Sequence, residues 1–544
     1  MKEPFRLSRR HLVSAGALNL VGLSQPGAGA RVASIVQDEP DRWRIADGLR
    51  LAGSVSGPAS LDPALSRDLS TNFLLRQIFR GLMSLDTNLE PVLELADSLD
   101  VSDDGRTYAF TIRESARFHD GRAVTPADVQ VSLSRALDPR IAGGSVEALA
   151  GITYLQEIEG AREHLAGMTD TLGGIAITGN RSLTITLAER SPTFLMKLAS
   201  VPASIVNSQQ VQAAADWAMA PNGSGPFSVL AWTASESLDL RAAGTWWRGE
   251  PTLTSVRVRL GASASQPVNL YQAGEIDLVE DIPPELVDLI RDPATGVTFG
   301  ELVTTELFAT SYIAFGNVDP PLDDVHVRRA LQYVFPADLV ATASFDGAVR
   351  SATGLLPPGL LDAEWPTDRV SGDVAAAQRE LERSRYGNAA NVPPIPIYAA
   401  DIAVVEALRD TASAALGVTI EAIQVGWPDF LAGLSERRFP AYALYWGADY
   451  PDPEALIGML FSERSADNYT GYVNQDLELL LDEARVTEGD ERMVVFACAN
   501  QLLVDDAALI PLYHPHGYTI TRPGLAGVVV TPMGILGLET IREG

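Results

Sequence analysis

The chain has 544 residues, 46% of them hydrophobic, well past the ~250–300 at which a single core stops growing, so at least two lobes are expected. Its formal net charge of −29 offers no basic stripe to follow a phosphate backbone, which excludes nucleic acid and disfavours an anionic membrane surface. The single cysteine, Cys498, rules out an intramolecular disulfide and any cysteine-rich zinc or iron–sulfur site. Its flank, Met-Val-Val-Phe-Ala-Cys-Ala-Asn, reads as a helix face with Cys498 buried and inert.

The elements follow in chain order. Residues 5–30 carry basic residues, a short Gly- and Ala-rich apolar run, and Ala28-Gly29-Ala30, the layout of a cleavable export signal. Ser8, Arg9, Arg10 and Leu12 follow the twin-arginine pattern. The run contains Asn19 and is too short for a transmembrane helix. No lipid-anchor cysteine accompanies it, so free release into a periplasm is expected. Residues 31–48 are polar and read as a linker.

Residues 49–66 read as a strand ending in a loop with Leu61-Asp62-Pro63. In 73–105, Leu74, Leu75, Ile78, Phe79 and Leu82 fall on one predicted helical face, and Asp103-Asp104-Gly105 forms a hairpin turn. Asp100, Ser102 and Asp104 begin like a calcium loop, but the twelfth position is Thr111, so calcium is rejected. Tyr108, Phe110 and Ile112 then alternate as a half-buried strand. Phe118-His119-Asp120-Gly121 makes a turn. Thr125, Pro126 and Asp128 are N-cap, N1 and N3 of a helix, close to a capping box, with Val129, Leu133, Ala136 and Leu137 as its apolar stripe.

Residues 182–206 read as strand, short helix and second strand. Gly223, Gly225, Pro226 and Phe227 have no following Lys-Ser/Thr, so they make a turn of close backbone approach and not a phosphate cradle. Val229, Ala231, Leu238 and Leu240 alternate as a hairpin. Residues 270–290 end a helix at Gly274-Glu275-Ile276-Asp277 and open a strand. Residues 310–341 give a strand through Ile313 and Phe315, then Pro320-Pro321, then a helix with Val325, Val327, Arg328, Ala330 and Leu331. Ala441–Tyr445 reads as a buried central strand, with Trp446-Gly447-Ala448-Asp449-Tyr450-Pro451-Asp452-Pro453 at its C-terminal end, where ligands gather in open α/β sheets.

These strings, in this order, resemble the family 5 extracellular solute-binding proteins, the peptide and oligopeptide binders of ABC importers. The 108–139 block carries the family's strand, arginine, aromatic-His-Asp-Gly turn and Thr-x-x-Asp-Val helix. Gly223–Phe227 is similar to its Gly-Thr-Gly-Pro-aromatic, with Ser224 for Thr. Asn468, Tyr472, Asn474 and Leu477 follow its Asn-x-x-x-Tyr-x-Asn-x-x-Leu pattern, and Ile510-Pro511-Leu512-Tyr513 its closing segment. The chain departs at Leu322, where Phe is common, and at Phe335–Asp338.

The resemblance implies an α/β, two-lobed periplasmic-binding-protein fold with a hinge, a closing cleft and an inserted subdomain. Lobe I would use 49–67, 181–264 and 505–544, the inserted subdomain 68–180, and lobe II 265–504. It implies a monomer that captures peptides in the cleft for an ABC permease, without cofactor, metal or catalysis. Asp449 would accept the ligand's α-ammonium in a charge-assisted bond, about twice a neutral one. Trp446, Gly447, Ala448 and Tyr450 would line the same site. For Asp449 a purely turn-capping role stays open, and for Trp446 a core role.

The same fold could hold an oligosaccharide, an opine, a nickel chelate or haem. A secreted hydrolase is the alternative of another class, although no G-x-S-x-G, H-E-x-x-H or Walker loop is present. His514 and His516, on one strand face, are the closest histidines and read as packed or solvated.

Overall fold

The computed structural model describes residues 48–544 except 53–56, 145–148, 262–265, 281, 284–285, 288–289, 291–299, 346–347 and 362–370. The export signal and linker expected over 1–48 lie outside the described residues, apart from Gly48. Two compact units form. The first comprises Ile45–Leu307, Asp449–Asp452 and Gly517–Gly544; the second comprises Phe308–Ala448 and Pro453–His516.

The first unit is built around two sheets, beside two small two-stranded ones. In one, β1 (Leu49–Ala52) lies between two parallel partners, with Leu49, Leu51 and Ala52 buried and Arg50 half-buried in a pair with Asp277. α1 (Leu69–Ile78) starts at the Asp68 cap and buries Phe73, Leu74, Leu75 and Ile78. The predicted helical face ran on through Phe79 and Leu82, but Phe79 is already extended (φ −118°, ψ 158°) and both side chains are buried from non-helical backbone.

The second sheet is antiparallel and contains β2 (Ala96–Val101), β3 (Thr107–Ile112), β4 (Ile175–Ile177) and β5 (Ser182–Thr186), in the order β2-β3-β5-β4. Tyr108, Phe110 and Ile112 are the buried face of β3, as their alternation requires. Gly105 turns the β2–β3 hairpin at φ +66°. α2 (Pro126–Arg135) carries the full capping box between Thr125 and Asp128. No strand follows the short helix Phe194–Leu198; a 3₁₀ turn at Val201–Ala203 leads into irregular backbone.

β6 (Phe227–Thr233) and β7 (Ser237–Ala242) make the expected hairpin against β8 (Ser255–Arg259). A bulge between Val229 and Ala231 breaks the alternation, so Ala231 is exposed while Leu238 and Leu240 are buried. After a helix over Gln266–Gln272, β9 (Leu278–Val279) pairs with β1. The core includes Leu49, Leu74, Ile78 and Leu240, with Leu525, Leu536, Leu538 and Ile541 supplied from the far end of the chain.

The second unit is also built on sheet strands. β10 (Ala309–Phe315) is buried along its whole length, and α3 (Val325–Val334) packs Val327, Ala330 and Leu331 inward. β11 (Ile395–Ala399) pairs in parallel with both β12 (Ile420–Gln424) and β13 (Ala441–Gly447). β13 in turn runs antiparallel to β10, which places it in the sheet interior. α4 (Gln475–Val486) starts at the Asn474 cap. α5 (Gly489–Asp505) buries Phe496, Ala497, Ala499 and Asn500 but turns Cys498 to solvent, so the expected burial of Cys498 does not hold. β14 (Leu509–Thr521) gives its first half to this unit and its second to the other. Among the described residues no helix is long and apolar enough to cross a membrane.

Candidate functional site

The chain passes between units at Ala448/Asp449 and returns at Asp452/Pro453, inside the Trp446–Pro453 string. On the second unit, β13 ends in Tyr445, Trp446 and Gly447. Tyr445 was expected in the buried run but is 44% exposed, because it follows Leu444 onto the opposite face of the strand. Trp446 is half-buried, its ring 6.1 Å from that of Tyr469. Its indole Nε1 is buried with no hydrogen-bond partner among the described residues. Gly447 has open space around it: a Cβ there would meet nothing nearer than Ala309 Cβ at 4.0 Å. Ala448 is buried and its N–H donates to Phe308 O at 2.7 Å.

Within the first unit, Asp449 is half-buried and its Oδ1 accepts a hydrogen bond from Tyr154 Oη at 2.8 Å. Tyr450 is buried, with its ring centroid 5.0 Å from Lys197 Nζ. Lys197 is itself buried and paired with Glu157 at 2.5 Å. Tyr154 sits on the one-turn helix Ile152–Leu155, entered through Gly151. A Cβ on Gly151 would stand 2.3 Å from Ala136 O, so glycine is what lets this turn press on the end of α2 and aim Tyr154. Within the first unit the geometry gives a held carboxylate, the Tyr450 ring and a part-buried ion pair against that ring. Such a set holds a cation or a donor-rich group in place.

Tyr154, Lys197 and Glu157 were not singled out in the sequence. They occupy no motif, and Tyr154 lies 295 positions from the carboxylate it bonds. The strongest motif, 108–139, lies elsewhere in the unit and is structural. Asp128 is fully buried and accepts from Arg122 (2.7 and 3.1 Å), Thr125 (2.7 and 2.9 Å) and Ser208 (2.6 Å). Burial pushes its carboxyl up, but the bonds from Arg122, Ser208 and Thr125 outweigh burial and hold it below the usual range.

His119 is bound to the glycine turn: its N–H donates to Gly223 O (2.8 Å) and its Nε2 lies 3.1 Å from Gly225 O. Those glycines press on α1, where a Cβ at Gly223 would fall 2.0 Å from Ile78 O, so this is a turn of close approach. His514 is also packed, with Nδ1 3.0 Å from Thr310 Oγ1 and 3.2 Å from Ala309 O. Burial lowers both imidazoles to about 4.

Residues 90–468 match the model of the bacterial extracellular solute-binding proteins, family 5 Middle. The oligopeptide-binding protein OppA of Bacillus subtilis is 23% identical over 500 residues, covering 88% of this chain and 89% of that one. Heme-binding protein A of Haemophilus influenzae is 24% identical over 516 residues, covering 88% and 90%. Among solved structures, the Escherichia coli murein tripeptide binding protein MppA superposes with a TM-score of 0.76 at 22% identity, covering 91% of this chain and 99% of that one.

Proposed function

Because the chain belongs to the family 5 bacterial extracellular solute-binding proteins, we propose that it captures peptides and delivers them to the permease of an ABC importer. The observation that carries this reading is the Asp449 carboxylate, fixed by Tyr154 inside the Trp446–Pro453 string. A carboxylate so held accepts the α-ammonium of a peptide. Trp446, Gly447, Ala448 and Tyr450 flank it in the same string, with the Ala448 N–H held by Phe308 O and Tyr450 buried. The OppA relative is named for binding oligopeptides. The protein acts as a monomer, binds without turnover and needs no cofactor.

The test is a four-way titration of one peptide, free and N-acetylated, against the parent and Asp449→Asn. Loss of the charge should weaken the free peptide by about ten- to hundredfold, the worth of a hydrogen bond to a charged group. The acetylated peptide, with no ammonium, should lose little. Equal losses for both would make Asp449 structural. Hydrolysis of the peptide during titration would instead support the hydrolase alternative.

A second reading is a non-peptide solute, favoured by the heme-binding relative. Mass spectrometry of whatever the purified protein releases on mild denaturation separates the two. Export would follow the twin-arginine route, delivering a periplasmic protein without a lipid anchor. Arg9→Lys with Arg10→Lys keeps the charge but removes the address, so precursor should stay in the cytoplasm. Undiminished periplasmic protein from that double variant would sink the assignment.

A further inference from the structure

A polar cavity lies wholly within the first unit, lined by none of the residues of the Asp449 string. It offers about 100 Å³ of room between α1, the 3₁₀ turn at Val201–Ala203, and residues 535–539. Three arginines and two glutamates line it. Glu94 is fully used: Arg80 Nε reaches its Oε1 (3.2 Å), Arg248 Nη2 its Oε2 (2.7 Å), and Trp247 and Ser84 donate as well. Glu539 Oε1 is taken by Arg80 Nη2 at 2.6 Å.

Arg76 is left over. It has no carboxylate partner among the described residues, and its guanidinium makes one long bond, to Ala199 O at 3.4 Å. Burial, with Arg80 beside it, lowers its ionisation to about 10, so it is charged at neutral pH. Two further groups on the same wall are buried without a partner: Ser200 Oγ and Glu539 Oε2. A half-buried charge without a counter-ion and unmade hydrogen bonds are both costly. The cavity thus lacks one negative charge, one partner for a hydroxyl, and one donor for a carboxylate oxygen.

We propose that this cavity binds a small α-hydroxy carboxylate. Its carboxylate would lie on the Arg76 fork, a geometry that guanidinium suits, with Ser200 Oγ donating to it. Its hydroxyl would donate to Glu539 Oε2. Three positive against two negative side chains favour an anion over a zwitterion. Arg248, whose side chain is 42% exposed, marks the mouth.

Glycolate is the probe, read by calorimetry and melting temperature on the full chain, with acetate and chloride at matched ionic strength. Glycolate should bind saturably and at least about threefold tighter than acetate, which lacks the hydroxyl. Arg76→Gln should weaken glycolate by about ten- to hundredfold and Ser200→Ala by about three- to tenfold. Should Arg76→Gln not fold, Arg76→Lys keeps the charge but loses the fork, and should also weaken binding. Absence of saturable binding, a chloride effect equal to glycolate's, or affinity within about twofold of the parent in a folded Arg76 variant or in Ser200→Ala would overturn the proposal. Peptide binding through Asp449 is a separate measurement and is expected to survive both changes.

Discussion

Asp449 shows how a residue acquires a role that its neighbours in sequence do not define. An aspartate beside proline is ordinarily a turn former. Here the carboxylate takes a hydroxyl donor from Tyr154, and the next residue is pinned against Lys197. Tyr154→Phe removes only that donor. We expect peptide affinity to fall about two- to tenfold, the worth of a neutral hydrogen bond, with the melting temperature little changed. In the Asp449→Asn background the same change should add almost nothing, since the two residues act as one unit. Full additivity in calorimetry would mean that Tyr154 does not orient Asp449.

At the scale of elements, the 108–139 block is a latch. Asp128 ties the start of α2 to Arg122 and Ser208, while His119 ties the preceding turn to Gly223 and Gly225, which touch α1. Asp128→Asn keeps the shape and removes the charge that Arg122 pairs with. Breaking a buried pair typically costs about 3–5 kcal/mol, so urea unfolding should shift by that order; a change below about 1 kcal/mol would show the latch to be dispensable. Much of this was legible from sequence, because caps, alternation and glycine turns are local: Thr125, Tyr108 and Gly105 are where their neighbours dictate. What was not legible depends on distant partners or on one-residue shifts. Ala231 faces out because of a bulge, Phe79 leaves the helix one residue early, and Cys498 sits between buried Ala497 and Ala499 on the outer edge of its helix. Tyr154 could be found only by folding the chain.

For the whole molecule, acid is the informative stress. His119 and His514 are held neutral by burial, their folded values lowered from 6.5 to about 4. Protons therefore bind the unfolded chain more readily between those limits. The stability contributed is complete above pH 6.5 and is lost as pH falls towards 4, by up to ~1.4 kcal/mol per pH unit for each histidine. His514→Gln should flatten the pH dependence of urea unfolding across that window, and an unaltered slope would refute the assignment. Arg350, near His514, works in the same direction as burial.

The points at which the described backbone passes between units also fix a timetable. The first unit begins with β1, yet its core waits for Leu525, Leu536, Leu538 and Ile541. A ribosome making this chain completes the second unit's sheet at β14 before the first can close. Assembly of the first unit is therefore a late event, complete only once the last turns and strands of the chain have been made.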